Sequence, residues 1–208
     1  MGRINYGFDN KYLLTLTGRY DGASQLADGN KWAFFPSAAI GWRMSEESFV
    51  QGLGVFNNLK LRASYGEVGN NASSSPYATQ ANIFPTFYDF DGTPSLGYTI
   101  NALSNQGIVW ERSKEINFGL DFALSGLPIS GTVEYYKRNT EDLILDDKVP
   151  NSTGFNNVLG NVGEIENSGI EVSLNSVNVN KGDFRWSSNL TFTANDDKVV
   201  KLAGGLTE

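Results

Sequence analysis

Few side chains in this 208-residue sequence could perform catalytic chemistry. The sequence contains no histidine and no cysteine, so it lacks the commonest general base, the commonest metal ligand and any thiol nucleophile. A serine nucleophile activated by histidine is excluded for the same reason. Neighbouring carboxylates at Glu46 and Glu47, and at Glu164 and Glu166, do not indicate a glycosidase, because such a pair needs a pocket around it. The sequence therefore predicts no enzyme and no cofactor.

Two acidic segments have the composition of cation sites. YDFDGT (residues 88–93) resembles the start of a calcium-binding loop, but it lacks the glutamate that closes an EF-hand loop. Asp142, Asp146 and Asp147 carry carboxylates of the kind that a hard cation prefers. A turn is the better interpretation of the first segment, and solvated loop acids of the second. We therefore predict no metal site.

Aromatic residues are concentrated in a long segment, residues 67–110, which is also rich in glycine, asparagine and serine. Exposed aromatic rings can stack on sugar rings or form a protein interface. Rings in a loop of this length can instead pack into a small core of their own. Both interpretations stay open, and a ligand or partner site here would be formed by Tyr77, Phe84, Phe87, Tyr88, Phe90, Tyr98 and Trp110.

The elements that must position these side chains are predicted to be β-strands. From Ile116 to Leu124 every second residue is large and apolar, and the residues between are polar or small. This period of two places the two sets on opposite faces of a strand. Residues 125–128, SGLP, supply turn chemistry before a return strand that reaches Asn139. The same pattern predicts six further strands at residues 3–8, 11–20, 32–43, 59–66, 165–179 and 184–195, a helical turn at 45–51, and long loops at 67–110 and 140–164.

Short and long connections alternate between these eight strands. In an up-and-down sheet, every second connection lies at the same end, so one end would carry brief turns and the other long loops. That is the layout of outer-membrane barrels, which have short periplasmic turns and long extracellular loops. We therefore predict an all-β, antiparallel, up-and-down transmembrane barrel segment. A soluble β-sandwich or lipocalin-like barrel is the alternative, because periodicity alone does not say which face meets water.

The composition of the two strand faces supports the membrane interpretation. One face is apolar, with tyrosine and tryptophan toward the strand ends, as in the aromatic girdles of membrane barrels. The other face carries charges that a wet lumen accommodates and a soluble core does not: Arg19, Arg43, Lys60, Arg62, Glu115, Asp121, Glu134, Arg138, Glu171 and Arg185.

Net charge and termini give further bounds. The net charge of −7 argues against a nucleic-acid partner, which requires a basic surface. No apolar run reaches the 18 residues of a transmembrane helix. The first residues, MGRINYGF, lack the apolar region of a signal peptide and have the pattern of a strand interior. We expect the chain to be part of something longer.

Several motifs resemble one family of outer-membrane proteins. The sequence is similar to the barrel of SusC/RagA-type TonB-dependent transporters in seven segments: KYLLTLTGRYDGAS, KWAFFPSAAIGWRMSEESF, LKLRASYGEVGN, WERSKEINFGLDFALSGLPISGTVEYYKRNTEDLIL, VPNSTGF, NVGEIENSGIEVSL and DFRWSSNLTFTANDDKVVKL. The resemblance runs from Gly2 to Leu202 in the family's order, and FPSAAIGWRMSEE and SYGEVGNN are individually distinctive.

The resemblance implies a location in the outer membrane of a Bacteroidetes-type bacterium, with outer-membrane lipid around the barrel. It also implies import of glycans or peptides, driven by TonB, together with a SusD-like surface lipoprotein. The family's barrel has 22 strands around an N-terminal plug. No plug and no TonB box can be identified in residues 1–208, so we expect an arc of a larger barrel that depends on a missing part to contact TonB. The alternatives are a soluble or surface-exposed β-sheet binding module that uses the aromatic loops, and a receptor or adhesin without transport.

Overall fold

The computed structural model describes residues 1–71, 76–77, 79–100 and 102–202. These residues form ten strands, three single helical turns and their connections. Two of the helical turns, Met44–Glu46 and Ser48–Gln51, lie where the sequence predicts one, and the third is Asn151–Thr153. The strands are β1 (Gly2–Phe8), β2 (Tyr12–Gly22), β3 (Trp32–Arg43), β4 (Phe56–Asn70), β5 (Ile83–Phe90), β6 (Thr93–Ile100), β7 (Glu111–Leu124), β8 (Ile129–Lys148), β9 (Asn157–Lys181) and β10 (Phe184–Lys201).

Eight of these strands form one antiparallel sheet in the order β1-β2-β3-β4-β7-β8-β9-β10, and β5 and β6 form a separate hairpin. Each strand of the large sheet pairs with its neighbour in sequence, except that β4 pairs with β7 across the hairpin. The predicted up-and-down antiparallel arrangement is therefore confirmed. Among the described residues, β1 and β10 are the two edge strands.

The connections fall into two groups at opposite ends of the sheet. The "turn end" carries residues 9–11, 44–55, 125–128 and 182–183. The "loop end" carries residues 23–31 and 149–156 and the described part of the connection between β4 and β7. The three-residue turn between β1 and β2 contains Asp9 and Asn10, whose φ angles of 50° and 53° are left-handed values that aspartate and asparagine tolerate. The predicted sorting of short and long connections is confirmed in part, because residues 44–55 at the turn end outnumber residues 23–31 and 149–156 at the loop end.

The prediction that residues 67–110 form one long loop is wrong. β4 continues to Asn70, β7 begins at Glu111, and β5 and β6 form a hairpin between them; residues 72–75, 78 and 101 lie outside the described residues. The hairpin has large apolar side chains on both faces, so its sequence shows no period of two and no strand was predicted. The turn interpretation of YDFDGT is correct, because Asp91 and Gly92 take φ angles of 53° and 76° between β5 and β6.

The predicted loop at residues 140–164 is also mostly strand. β8 runs to Lys148 and β9 begins at Asn157, so only residues 149–156 connect them. The pairing register shifts between Thr140, Leu143 and Ile144, and Asp142 has a left-handed φ of 59°. This bulge interrupts the alternation of the sequence, as an inserted residue does, and it explains why the strand was not predicted.

A small buried cluster lies at the loop end. It consists of Ala23, Leu26, Ala33, Phe35, Ile108 and Trp110, with Ile144 and Leu159 packed against it. The Phe35 and Trp110 rings meet edge to face at 5.6 Å, and Trp110 Nε1 donates to the Lys31 carbonyl at 3.2 Å. The cluster ties the long loops to the ends of the strands.

Most other large apolar side chains are exposed. On the apolar face of the sheet, Ile40, Phe118 and Phe192 are each more than half exposed. A soluble domain does not present a contiguous apolar surface of this extent. Among the described residues, no helix has the length and apolar character needed to cross a membrane.

Candidate functional site

Cross-strand pairing assembles one continuous apolar face. Directly paired residues share a face of an antiparallel sheet, and Leu61 pairs with Leu120, which pairs with Val133. The row through Ala63, Phe118, Tyr135 and Ile170 runs parallel to it. A shallow groove of about 770 Å³ lies in this face. The apolar residues that the sequence pattern assigns to one face of each strand are therefore the residues that the pairing register brings together.

Aromatic rings line the apolar face near both ends of the strands. At the turn end, the Tyr12 ring stacks on Phe8 and on Trp42, with centroids 6.4 Å apart in each pair. Toward the loop end, Tyr20 and Trp32 stack at 5.2 Å with their planes 7° apart. Two such rows bounding an apolar band are typical of a transmembrane barrel.

The opposite face carries a charged row across three strands. Arg62 pairs with Gly119, and Gly119 pairs with Glu134 on the next strand. The guanidinium donates to both carboxylate oxygens of Asp121, at 2.9 and 2.8 Å, and to Glu134 at 2.5 Å. A Cβ on Gly119 would lie 2.8 Å from Nη2 of Arg62, so the glycine allows the guanidinium to cross β7. A second pair, between Arg138 and Glu115, lies on the same face at 2.5 Å.

The charged side chains of the polar face are partly exposed to solvent and are held by hydrogen bonds. Arg62, Asp121 and Glu134 are between 23% and 32% exposed, and Arg138 is half exposed. Two carboxylates share one guanidinium, and Lys60 is paired with Asp121 on the same face. Such a surface is suited to lining an aqueous channel and unsuited to packing against an apolar layer.

Most of the aromatic residues singled out from the sequence lie on the β5–β6 hairpin. One face of the hairpin is mostly apolar and exposed, and Asp89, which pairs with Pro94, is its one charged residue. The other residues of this face are Ile83, Pro85, Phe87, Leu96, Tyr98 and Ile100. The other face alternates aromatic rings with small polar residues, and it carries Phe84, Thr86, Tyr88 and Phe90 opposite Thr99, Gly97, Ser95 and Thr93.

The structure divides the predicted aromatic site. Phe84, Tyr88 and Phe90 project from one face of the hairpin, and Phe87 and Tyr98 from the other. Tyr77 is exposed in the connection before it. Trp110 is instead buried in the loop-end cluster, which assigns its ring to packing. Sequence reasoning missed the partner residues Ile83, Leu96 and Ile100, because only the pairing of β5 with β6 brings them together.

The three aspartates considered as cation ligands are spread along one strand. Asp142 lies at the bulge of β8, and Asp146 and Asp147 lie further along the same strand. Within the described ranges, no group of three or more carboxylates is gathered in a way that could hold a metal ion.

At the turn end, Glu47 fastens four segments together. Its carboxylate accepts hydrogen bonds from the Tyr12 hydroxyl at 2.8 Å, from Trp42 Nε1 at 3.2 Å and from Lys11 Nζ at 3.2 Å. These three bonds, of which the one from Tyr12 has the largest effect, lower the pKa of Glu47. The bond between Lys11 and Glu47 also raises the pKa of Lys11. Glu47, which lies in residues 44–55, thereby joins this connection to the β1–β2 turn, the start of β2 and the end of β3.

The lowered pKa of Glu47 predicts acid sensitivity at this end. A carboxylate whose pKa is depressed by folding stabilises the fold above its ordinary value of about 4.5, and this contribution is lost as the pH falls through the lower, folded value. We expect Glu47→Gln to be less stable than the parent at neutral pH and to lose the extra acid-induced destabilisation. Urea unfolding of the membrane-inserted protein between roughly pH 3 and pH 7 measures both effects. Glu46→Gln is the control, since Glu46 is exposed; a Glu47→Gln variant that retains the full acid response would contradict the prediction.

Comparison with known proteins places these features in a family. Residues 1–207 match the family described as TonB dependent receptor-like, beta-barrel. The chain is 41% identical over 203 residues to TonB-dependent receptor P26 of Formosa agariphila, covering 98% of this chain and 20% of that protein. It is 35% identical over 210 residues to TonB-dependent receptor SusC of Bacteroides thetaiotaomicron, covering 98% and 21%. The chain spans about a fifth of the length of these relatives.

A solved structure shows the same arrangement of strands. The RagAB peptide importer in its closed-closed state superposes with a TM-score of 0.87 at 29% sequence identity, covering 98% of this chain and 22% of that one. The FrpB iron transporter from Neisseria meningitidis, at 13% identity and a TM-score of 0.62, shares the fold. The chain therefore belongs to the TonB-dependent receptor-like β-barrel family of the outer membrane, and it is of the SusC/RagA type.

Proposed function

We propose that this chain forms part of the barrel wall of a transporter that imports glycans or peptides across the outer membrane. The observation that carries the proposal is the division of one eight-stranded sheet into an exposed apolar face and a charged, hydrogen-bonded face. The apolar face contacts lipid, and the charged face lines the water-filled interior through which the solute passes. Similarity to SusC and to the RagAB peptide importer supports import as the activity.

The energy for import comes from TonB, which acts through parts of the receptor other than this barrel segment. The loop end is extracellular and receives a SusD-like surface lipoprotein, and the turn end faces the periplasm. Residues of the lumen face, including Arg62, Asp121 and Glu134, interact with solute and water as they pass. No step of this activity requires a chemical reaction, in keeping with relatives that are receptors and transporters.

The β5–β6 hairpin is the segment best suited to bind solute or lipoprotein. A two-stranded hairpin is marginally stable by itself, and exposed aromatic clusters of this kind mark interaction surfaces. The face of Phe84, Tyr88 and Phe90, with its hydroxyl-bearing neighbours, resembles the aromatic platforms that stack on sugar rings and peptide side chains. The mostly apolar face around Phe87 and Tyr98 suits a protein surface.

The experiment replaces residues 83–100 by a short glycine-serine linker in the complete receptor. We expect uptake of a fluorescent glycan or oligopeptide to fall about tenfold or more, the equivalent of roughly 1.4 kcal/mol of lost binding. The amount of folded barrel in the outer membrane should be unchanged, since the hairpin lies outside the eight-stranded sheet.

Point variants separate the two faces of the hairpin. Phe87→Ser with Tyr98→Ser should reduce recovery of the surface lipoprotein with the receptor, and Phe84→Ser with Phe90→Ser should reduce solute uptake while the lipoprotein stays bound. Unchanged uptake after removal of the hairpin would overturn its role. A receptor that binds solute at the surface but accumulates none in the periplasm would overturn transport and favour a receptor or adhesin.

A further inference from the structure

The longest connection at the turn end, residues 44–55, folds back against the outside of the barrel. Its Glu47 carboxylate accepts hydrogen bonds from Tyr12 and Trp42, and both rings lie on the apolar face, in register with each other. The connection is therefore fastened to the lipid-facing side of the sheet.

The helical turn in this connection has two different sides. Val50 is 3% exposed and packs toward the protein, whereas Phe49 and Leu53 are 59% and 63% exposed. Residues four apart on a helical turn lie on the same side, so Phe49 and Leu53 form one apolar pair that points away from the barrel. Residues 48–55, SFVQGLGV, contain no charged side chain.

The exposed pair continues an interface that is already present. The Phe49 ring lies 6.5 Å from Trp42, which stacks on Tyr12, which stacks on Phe8. These rings form the periplasmic row of the aromatic girdle, so the surface of Phe49 is continuous with the lipid-facing band. Backbone groups of the turn are bonded within it: the Gly52 amide donates to the Ser48 carbonyl and the Leu53 amide to that of Val50, at 3.0 and 3.1 Å. A turn whose amides are hydrogen-bonded can enter the membrane interface without the free-energy cost of unpaired backbone polar groups.

We propose that residues 48–53 are an interfacial anchor that inserts Phe49 and Leu53 into the periplasmic leaflet of the outer membrane. The partner is phospholipid at the boundary between head groups and acyl chains. Amphipathic turns with an uncharged apolar side bind this region, and aromatic residues favour it. The anchor holds β3 and β4 at a fixed depth and keeps the longest periplasmic connection clear of the lumen mouth. It depends on the outer-membrane location and not on which solute the receptor imports.

The test measures whether lipid or water surrounds single spin labels in the complete receptor, which is reconstituted in bilayers of phosphatidylethanolamine and phosphatidylglycerol. Labels at Phe49→Cys and Leu53→Cys report on the pair, and Ile40→Cys, on the apolar face, is the lipid control. Gln51→Cys is the matched aqueous control, because Gln51 is exposed on the opposite side of the same turn. This chain has no cysteine of its own.

We expect labels at 49 and 53 to collide with oxygen severalfold more readily than with a water-soluble nickel chelate, as the label at 40 does, and the label at 51 to show the reverse. Labels at 49 and 53 that match the one at 51 would overturn the proposal, because the turn would then lie in water. Labels at 49 and 53 shielded from both reagents would also overturn it, since protein and not lipid would then cover the pair.

Discussion

Replacing Phe118 by arginine destabilises the folded barrel by about 2–4 kcal/mol, the cost of a cationic side chain at the bilayer midplane. Phe118 is more than half exposed in the middle of β7, between Ala63 on β4 and Tyr135 on β8. In water such an exposed position would tolerate arginine, with a change within about 0.5 kcal/mol. The size of the effect therefore reports the solvent that surrounds this face. Urea unfolding of the complete receptor in lipid vesicles measures it.

Asn117→Arg is the matched control for this substitution. Asn117 is the preceding residue of β7, it points to the opposite face, and it pairs with Ser64 and Tyr136. We expect its replacement to change the free energy of unfolding little, because the new charge meets water. Equal costs at the two positions, or a larger cost at Asn117, would show that the two faces are assigned the wrong way round.

Replacing Arg62 by methionine destabilises the barrel by roughly 1–3 kcal/mol, because three charge-assisted hydrogen bonds are lost and two half-buried carboxylates lose the cation that they share. The upper end of this range is not reached if water screens Asp121 and Glu134, which are 23% and 30% exposed. The effect is smaller in Arg62→Lys, which keeps the charge but not the fork of donors that reaches both Asp121 oxygens.

A second substitution tests the cause of that effect. Adding Asp121→Asn to Arg62→Met removes the repulsion and should recover part of the lost stability, which a double-mutant cycle measures as a coupling energy. If Arg62→Met unfolds at the same urea concentration as the parent, the row from Arg62 to Glu134 does not stabilise the sheet. Additive effects of the two substitutions would lead to the same conclusion.

The eight strands of the sheet could be predicted because their faces differ. Wherever apolar and polar residues alternate, as from Ile116 to Leu124, the sequence alone gives the strand, its faces and its place in an up-and-down order. The β5–β6 hairpin has apolar side chains on both faces, so it carries no such signal. The ends of β8 and β9 were missed because the bulge at residues 140–144 shifts the alternation by extra residues.

The sites depend on contacts between residues that are distant in the chain. Glu47 is 35 residues from Tyr12 and 36 from Lys11, and Arg62 is 72 from Glu134. The charges on the lumen face could be predicted as a set, but their pairing needs the register of three strands. Gly119 illustrates the point: the sequence shows a small residue in a strand, and only the register shows that it gives Arg62 room to cross.

The most direct test of the membrane assignment is a cysteine scan along β7, from Glu115 to Phe122, in the complete receptor in intact outer membranes. Each position is treated with a membrane-impermeant thiol reagent in water and with a reagent that partitions into lipid. Gly119 is left out of the scan, because a side chain there would collide with Arg62. The arrangement described above predicts an alternation, with Glu115, Asn117 and Asp121 reactive from water and Ile116, Phe118, Leu120 and Phe122 reactive from lipid. Uniform reactivity along the strand, or an alternation of the opposite phase, would contradict it.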